Sequence, residues 1–102
     1  MPDTYAHRTL VGTVLARHMA HHLLEDRINV NTIAPGYFVS QMTKAALGDD
    51  EGRRQAAAHT PMGRIGAPED MAGAVLFLTS RASSWLTGVT LPVDGGISTR
   101  AA

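Results

Sequence analysis

A chain of 102 residues is long enough for one domain at most, and a domain of this size leaves much of its surface in contact with water. Its 9 basic residues balance 9 acidic ones, so its charge predicts neither a nucleic-acid partner nor a membrane-surface partner. The absence of cysteine excludes disulfides and thiol chemistry, and no apolar run approaches the roughly 18 residues of a membrane span. The N-terminus has no signal-peptide pattern, and we expect a cytoplasmic protein.

The first predicted element is a helix from Thr4 to Glu25. Its apolar residues recur at spacings of three and four and form one broad face, made of Leu10, Val11, Val14, Leu15, Met19 and Leu23. His18 and His22 share a face of this helix, as a zinc pair would, and His21 lies beside them. No glutamate lies between the pair and no third ligand is evident, so we predict no metal site.

A strand and a tight turn follow this helix. Ile28, Val30 and Ile33 predict one buried strand, because they lie in a run of β-favouring residues. Pro35-Gly36 ends the strand, since proline cannot donate to a ladder and glycine tolerates unusual backbone angles. The polar loop that comes next lies at the carboxyl end of the strand, which is where α/β units bind ligands.

The middle of the chain predicts two helices between Gln41 and His59, with a break at Gly48-Asp49-Asp50. In the loop after them, Arg64 is predicted to brace the loop by hydrogen bonds rather than to bind substrate. Another helix opens at Ala67-Pro68-Glu69-Asp70, where proline suits the first turn and carboxylates favour the positive end of the helix dipole. This helix is apolar on most sides, so we expect more than one neighbour to bury it.

The C-terminal part predicts a second strand, with the alternating apolar residues Val89, Leu91 and Val93. Pro92 favours a sheet edge or a strand end, and Asp94-Gly95-Gly96 closes the strand. The tail from Ile97 to Ala102 is predicted to be loose. Alternation of helices and strands predicts an α/β fold.

Two stretches of the chain resemble the short-chain dehydrogenase/reductase family. The segment that follows the family's active-site helix is similar to INVNTIAPGYFVSQMT, and the family's C-terminal signature is similar to PMGRIGAPEDMAGAVLFLTSRASSWLTGVTLPVDGG. The resemblance covers roughly residues 5–96. It implies that residues 1–102 are an incomplete domain, the C-terminal part of a Rossmann-like doubly wound parallel sheet with two parallel strands and three to four helices.

The resemblance implies a catalytic role for Tyr5, which lies 26 residues before Asn31, as in the family. Such a tyrosine is the general acid or base when hydride passes between an alcohol and a carbonyl compound. The family's activating lysine, four residues later, is replaced by Thr9, and the only lysine of the chain is Lys44. Arg8 lies about 100° around the helix and its rigid fork is a poor substitute. A structural tyrosine near a helix start is the alternative.

The resemblance also implies that the loop after the first strand contacts the nicotinamide of NAD or NADP through Pro35, Gly36, Phe38 and Ser40. In the family, backbone groups near Gly36 and Phe38 meet the carboxamide, and a hydroxyl at the position of Ser40 hydrogen-bonds to the cofactor. The alternative is a simple turn with a serine that caps the next helix. The sequence has no GxGxxG-like run to seat the pyrophosphate, so we expect no cofactor binding by the isolated chain.

Three functions are open at this point. The first is an NAD(P)-dependent oxidoreductase for a small-molecule alcohol or ketone, present as a fragment without the dinucleotide-binding half and the active-site lysine. The second is a non-catalytic oligomerisation module that docks on full-length family members through its last helix and strand. The third is a non-functional remnant. Apolar helix faces and an open sheet edge predict a homo-oligomer or an association with family subunits.

Overall fold

The computed structural model describes residues 2–40 and 43–100, and its description of side chains leaves out residues 2–11 and 46. The α-helices in this part of the chain are α1 Pro2–His22, α2 Lys44–Leu47, α3 Asp50–Ala58 and α4 Pro68–Leu78, and 3-10 helices form at Arg81–Ser83 and Ile97–Thr99. The strands β1 Thr32–Pro35 and β2 Thr90–Val93 pair in a two-stranded parallel sheet. These elements confirm the predicted α/β class with two parallel strands.

The described residues form two compact units. The first unit contains the residues up to Ile33 together with Phe77–Leu91. The second unit contains Ala34–Leu76 and the residues from Pro92 onward. Each strand and α4 therefore contribute residues to both units.

In the first unit, α1 ends at His22, three residues before the predicted end at Glu25. The chain then turns, with a hydrogen bond from the Ile28 amide to the Leu23 carbonyl oxygen at 3.2 Å. Arg27 has a positive φ of 59°, a conformation that closes turns but does not continue a helix. The left-handed residue therefore separates α1 from the segment that leads into the sheet.

The strand predicted from Ile28 begins only at Thr32, which corrects the place of Ile28 and Val30. Instead of a regular ladder, this segment has one backbone bond, from the Gly88 amide to the Val30 carbonyl oxygen at 2.7 Å, and bonds that involve side chains. The Asn31 amide group donates to the Leu86 carbonyl oxygen at 3.2 Å, and its oxygen accepts from the Val89 amide at 3.1 Å. Because Asn31 occupies these groups, regular backbone pairing starts one residue later.

The apolar faces of α1 and α4 stay largely in contact with solvent. On α1, the exposed fractions are 58% for Val14 and 55% for Leu15, although Ala20 is buried. On α4, no residue is buried, and Leu76 is 68% exposed. The expectation that several neighbours bury α4 is therefore wrong for this chain, because the described elements do not cover the helix.

In the second unit, the helix break predicted at residues 48–50 is found at Gly48 and Asp49, while Asp50 is already the first residue of α3. Asp49 caps α3, since its carboxylate accepts from the Gly52 amide at 2.7 Å. Arg53 joins the two helices, because its guanidinium donates to the carbonyl oxygens of Leu47 and Gly48 at 3.3 Å each. Leu47 and Ala56 are the buried apolar residues here. Gln41, where the first helix of this pair was predicted to start, lies outside the described residues.

The segment after β2 is more ordered than predicted. Residues expected to form a loose tail include the 3-10 helix Ile97–Thr99. The Asp94 carboxylate organises this turn, because its two oxygens accept from the amides of Gly96 at 3.0 Å and Ser98 at 3.1 Å. Ala101 and Ala102, the end of the predicted tail, lie outside the described residues.

Candidate functional site

The loop at the carboxyl end of β1, residues 35–40, is fixed by three hydrogen bonds. The Gly36 amide donates to the Val93 carbonyl oxygen at 2.9 Å and extends the pairing of the sheet. The Gly66 amide donates to the Tyr37 carbonyl oxygen at 2.8 Å. The Thr43 hydroxyl donates to the carbonyl oxygen of Phe38, the last of the three. Three consecutive residues of the loop, Gly36, Tyr37 and Phe38, are therefore each held by a hydrogen bond.

Gly36 lies so close to the end of β2 that no side chain fits. A Cβ atom built on it would lie 2.7 Å from the Cα atom and 2.8 Å from the Cβ atom of Asp94. Glycine is required here for close approach of two backbones. The position of the loop is thus set by the contact between Gly36 and Asp94.

Ser40 forms a local hydrogen-bonded turn with Thr43. The Ser40 amide donates to the Thr43 hydroxyl oxygen at 2.9 Å, and the Thr43 amide donates to the Ser40 hydroxyl oxygen at 3.3 Å. This is the kind of local bond that the capping alternative predicted, although the residue that directly precedes α2 is Thr43. Ser40 is exposed, so its hydroxyl can also face a ligand.

Arg64 and Asp70 form a bidentate ion pair beside this loop. The guanidinium contacts the two carboxylate oxygens at 2.7 and 3.1 Å, and it also donates to the Ile65 carbonyl oxygen at 3.1 Å. These bonds agree with the predicted bracing role of Arg64. The hydrogen bond from Arg64, together with one from the Ala67 amide, lowers the pKa of Asp70 to about 2.

The Asp70 ion pair predicts a pH dependence of stability. Since the pKa of Asp70 is lowered on folding, its contribution is present above its ordinary value near 4 and is lost as pH falls to about 2. We expect the melting temperature of Asp70→Asn to change less between pH 4 and pH 2 than that of the unmodified chain. Glu69→Gln, which removes the neighbouring exposed carboxylate from the first turn of α4, is the control and should follow the unmodified chain. Superimposable profiles for Asp70→Asn and the unmodified chain would contradict this assignment.

An open pocket of about 370 Å³ lies within the second unit. It is lined from three segments, residues 37–38 after β1, residues 60–70 before and at the start of α4, and residues 92–96 at the end of β2. Its lining combines aromatic and apolar residues with the charged residues Arg64, Asp70 and Asp94. A mixed lining of this kind, at the end of a parallel sheet, is typical of small-molecule sites.

Comparisons with known proteins cover nearly the whole chain. A family model described as Enoyl-(Acyl carrier protein) reductase matches residues 10–98. The 7alpha-hydroxysteroid dehydrogenase of Escherichia coli K12 is 41% identical over 93 residues, which are 91% of this chain and 36% of that enzyme. The structure of a short chain dehydrogenase from Leptospira borgpetersenii with bound NAD+ is also similar, with 33% identity and a TM-score of 0.74. This match covers 92% of the present chain and 35% of the Leptospira chain.

This chain belongs to the short-chain dehydrogenase/reductase family. A gluconate 5-dehydrogenase from Burkholderia cenocepacia, in complex with NADP and tartrate, is another structural relative, with a TM-score of 0.78 at 34% identity. The match covers 87% of this chain and 35% of the dehydrogenase chain. The chain spans about a third of the length of the curated family members it matches.

The predicted cofactor residues of this short-chain dehydrogenase/reductase segment lie together on one loop. Pro35 ends β1, Gly36 packs on Asp94, and the Phe38 carbonyl oxygen is tied to Thr43. Exposed hydroxyl and backbone groups on a fixed loop are the donors and acceptors that a carboxamide-bearing ring requires. The exposed groups of this loop are compatible in kind with a nicotinamide, whereas the described residues include no glycine-rich turn at a helix start for a pyrophosphate.

The predicted catalytic residue Tyr5 belongs to α1, and its side chain lies outside the described residues. Thr43, which holds the loop, was not predicted from the sequence. Asp94 was predicted to help close the second strand, but not to organise the turn after β2 or to line the pocket. The sequence predicts Asp70 only as part of a helix start. In the structure, its carboxylate also accepts a hydrogen bond from the Ala67 amide, three residues earlier. The spacing of the two hydroxyl residues Ser40 and Thr43, three positions apart, could have predicted the local turn between them.

The described residues of this family member contain neither a metal-ligand cluster nor a membrane-spanning helix. The rings of His18 and His22 lie 4.4 Å apart between centroids, and no group of three or more potential metal ligands occurs among the described residues. Within residues 2–40 and 43–100, no helix has the length and apolar character needed to cross a membrane.

Proposed function

We propose that this chain forms the nicotinamide-facing part of an NAD(P)-dependent oxidoreductase that interconverts a small alcohol and its carbonyl compound. The observation that carries the proposal is the loop at residues 35–40, held at the carboxyl end of a parallel strand by bonds on three consecutive residues. Ligands of open parallel sheets bind at this edge. The relatives named above are dehydrogenases, and two of their structures hold NADP or NAD+.

In this proposal, backbone groups around Gly36 and Phe38 hold the carboxamide, and the Ser40 hydroxyl hydrogen-bonds to the cofactor. The bound nicotinamide supplies or accepts the hydride. Tyr5 gives a proton to the carbonyl oxygen during reduction and removes it in the reverse direction. A free phenol titrates near ~10, so this step needs a nearby positive charge, which Thr9 does not provide. We therefore expect slow turnover at best from these residues.

We propose that a segment outside these 102 residues makes the pyrophosphate and adenosine contacts. The chain corresponds to about a third of its curated relatives, and its sequence has no GxGxxG-like run. The exposed apolar side chains of α1, including Val14 and Leu15, are consistent with a further part of the fold that covers them. We also propose that the chain forms a homo-oligomer and that it is cytoplasmic.

A chimera tests this function directly. The N-terminal part of Escherichia coli 7alpha-hydroxysteroid dehydrogenase, up to the matching region, is fused to this chain, and NADH and NADPH binding is measured by fluorescence. We expect binding by the chimera and none by the chain alone. Ser40→Ala should weaken the binding by up to about tenfold, the value of one hydrogen bond.

Ser98→Ala is the matched control for Ser40→Ala, because Ser98 is also exposed and lies away from residues 35–40 in the sequence. It should bind the cofactor as the unmodified chimera does. A folded chimera that binds neither NADH nor NADPH would contradict the proposed function. Equal affinity of the Ser40→Ala and unmodified chimeras would remove Ser40 from the cofactor site.

A second candidate function is docking on family subunits without catalysis. It is favoured by the exposure of Leu76 at 68% and of Trp85 at 99%, since large apolar side chains at such exposure often mark interaction surfaces. The proposed occupant is a full-length family member, because the chain itself supplies only a third of that fold. Trp85→Ser and Leu76→Ser should abolish co-purification with such a subunit. Retention of the complex by both variants would exclude docking through these side chains. If the chimera binds no cofactor and the chain co-purifies with no family subunit, the third hypothesis, a non-functional remnant, is favoured.

A further inference from the structure

The C-terminal end of α1 carries two histidines one helical turn apart. His18 and His22 are four residues apart, and the centroids of their imidazole rings lie 4.4 Å from each other. Residues with this spacing project from the same face of a helix. Both residues are exposed, so ions in the solvent reach the rings without a change of fold. The structure therefore brings two imidazoles together at the surface.

The arrangement of the two rings suits nitrogens that share one metal ion. Two imidazole nitrogens, each about 2.0 Å from an ion and roughly at a right angle around it, lie about 3 Å apart. Because the nitrogens lie on the rims of the rings, centroids 4.4 Å apart allow this separation after rotation of the side chains. The lone pair of an imidazole nitrogen lies in the ring plane, so two parallel stacked rings cannot direct their lone pairs at one point. These ring planes are inclined at 65°, and their lone pairs can converge.

His21 lies beside this pair without belonging to it. It is adjacent to His22 and about 100° around the helix, and the centroids of these two rings are 6.3 Å apart. No group of three or more potential metal ligands occurs in the part of the chain that the structure describes. Water must therefore complete the coordination of an ion held by His18 and His22. Such an ion exchanges with solvent more readily than one in a structural zinc site, which has four protein ligands.

We infer that His18 and His22 form an exchangeable site for a late transition-metal ion, with Cu²⁺ preferred over Ni²⁺ and Zn²⁺. Imidazole suits these ions, and affinity along the first transition series is highest for Cu²⁺. Mg²⁺ and Ca²⁺ take oxygen ligands and should not compete. The sequence prediction of no metal site then holds only for sites with three or more protein ligands. The inference does not depend on the proposed function, because the loop at residues 35–40 takes no part in it.

A bound ion would fix the end of α1. Both imidazoles reach the same ion only when residues 18–22 are helical, and a ligand that binds the folded form alone stabilises it. His22 is the last residue of the helix, and the chain then turns through the left-handed residue Arg27. Cu²⁺ should therefore raise the melting temperature of the helical circular dichroism signal, and this rise should require both histidines.

Titration with CuCl₂ at pH 7, in a buffer that does not bind metals, tests the site. We expect saturable binding and an electron paramagnetic resonance spectrum with two equatorial imidazole nitrogens. His18→Ala and His22→Ala should each weaken the binding by at least about tenfold, and the double variant by little more, because either change alone removes the chelate. Both substitutions are at exposed helical positions, where alanine favours the helix. Absence of saturable binding, a spectrum with a single nitrogen, or unchanged affinity in either variant would overturn the inference.

His59→Ala is the matched control, because His59 is an exposed histidine that follows α3 and has no histidine next to it in the sequence. His21→Ala tests the choice of the pair. Both variants should bind Cu²⁺ and gain in melting temperature as the unmodified chain does, and excess Mg²⁺ should not displace the ion. A loss in His59→Ala or His21→Ala equal to that in His18→Ala would contradict the assignment.

Discussion

Gly36→Ala is expected to destabilise the second unit by about 3 kcal/mol, through overpacking and the loss of a backbone hydrogen bond. The added methyl group would lie 2.7 Å from the Asp94 Cα atom, which is backbone and cannot rotate away. Separation of the two chain segments at this point also breaks the bond from the Gly36 amide to the Val93 carbonyl oxygen. Urea unfolding followed by circular dichroism and by the NMR signals of residues 34–76 measures the change.

Gly73→Ala is the matched control for this substitution. Gly73 lies inside α4, and a Cβ atom built on it meets nothing within 4 Å. Alanine should therefore stabilise that helix by up to about 1 kcal/mol, because it has the higher helix propensity. Equal unfolding midpoints for Gly36→Ala and the unmodified chain would show that residues 36 and 94 are farther apart than the structure places them.

Thr9→Lys is expected to raise the turnover of the chimera with 7alpha-hydroxysteroid dehydrogenase by about 10² to 10⁴, the usual value of an effective general acid. The family resemblance places an activating lysine at this position, four residues after Tyr5 and one helical turn along α1. The positive charge of the ammonium group would favour the ionised form of a nearby phenol. The steady-state rate of NADH or NADPH formation from an alcohol substrate measures the gain.

Two further variants decide whether Tyr5 is the acid. Tyr5→Phe in the Thr9→Lys background should return turnover to the level of the chimera that keeps Thr9, because the proton donor is gone. Arg8→Lys places an ammonium group one residue away, about 100° around the helix, and should give no gain. Undiminished turnover after Tyr5→Phe in the Thr9→Lys background would exclude a catalytic role for Tyr5.

The prediction from sequence was most successful where a few neighbouring residues decide the structure. Gly48 and Asp49 determined the break and the cap between α2 and α3, because both act on backbone groups within three residues. Pro68 at the first position of α4 set its start in the same way. Family membership was also readable, since the two matching segments follow each other in the expected order.

The exposure of α1 and α4 shows why periodicity alone was not enough. The apolar spacing correctly predicted helices, yet Val14, Leu15 and Leu76 are exposed because none of the described elements covers them. Periodicity reports which face of a helix favours burial. It does not report whether the covering element is present.

What the sequence by itself determined is the family, the order of the helices and strands, and the loop on which the candidate cofactor residues lie. The tertiary structure alone decided that Asn31 pairs with Leu86 and Val89, that Gly36 touches Asp94, and that the pocket is lined from three segments. The first set depends on backbone preferences that act within one or two turns. The second joins residues far apart in the sequence, more than fifty positions for the contacts of Asn31 and Gly36, so it depends on the path of the chain between them.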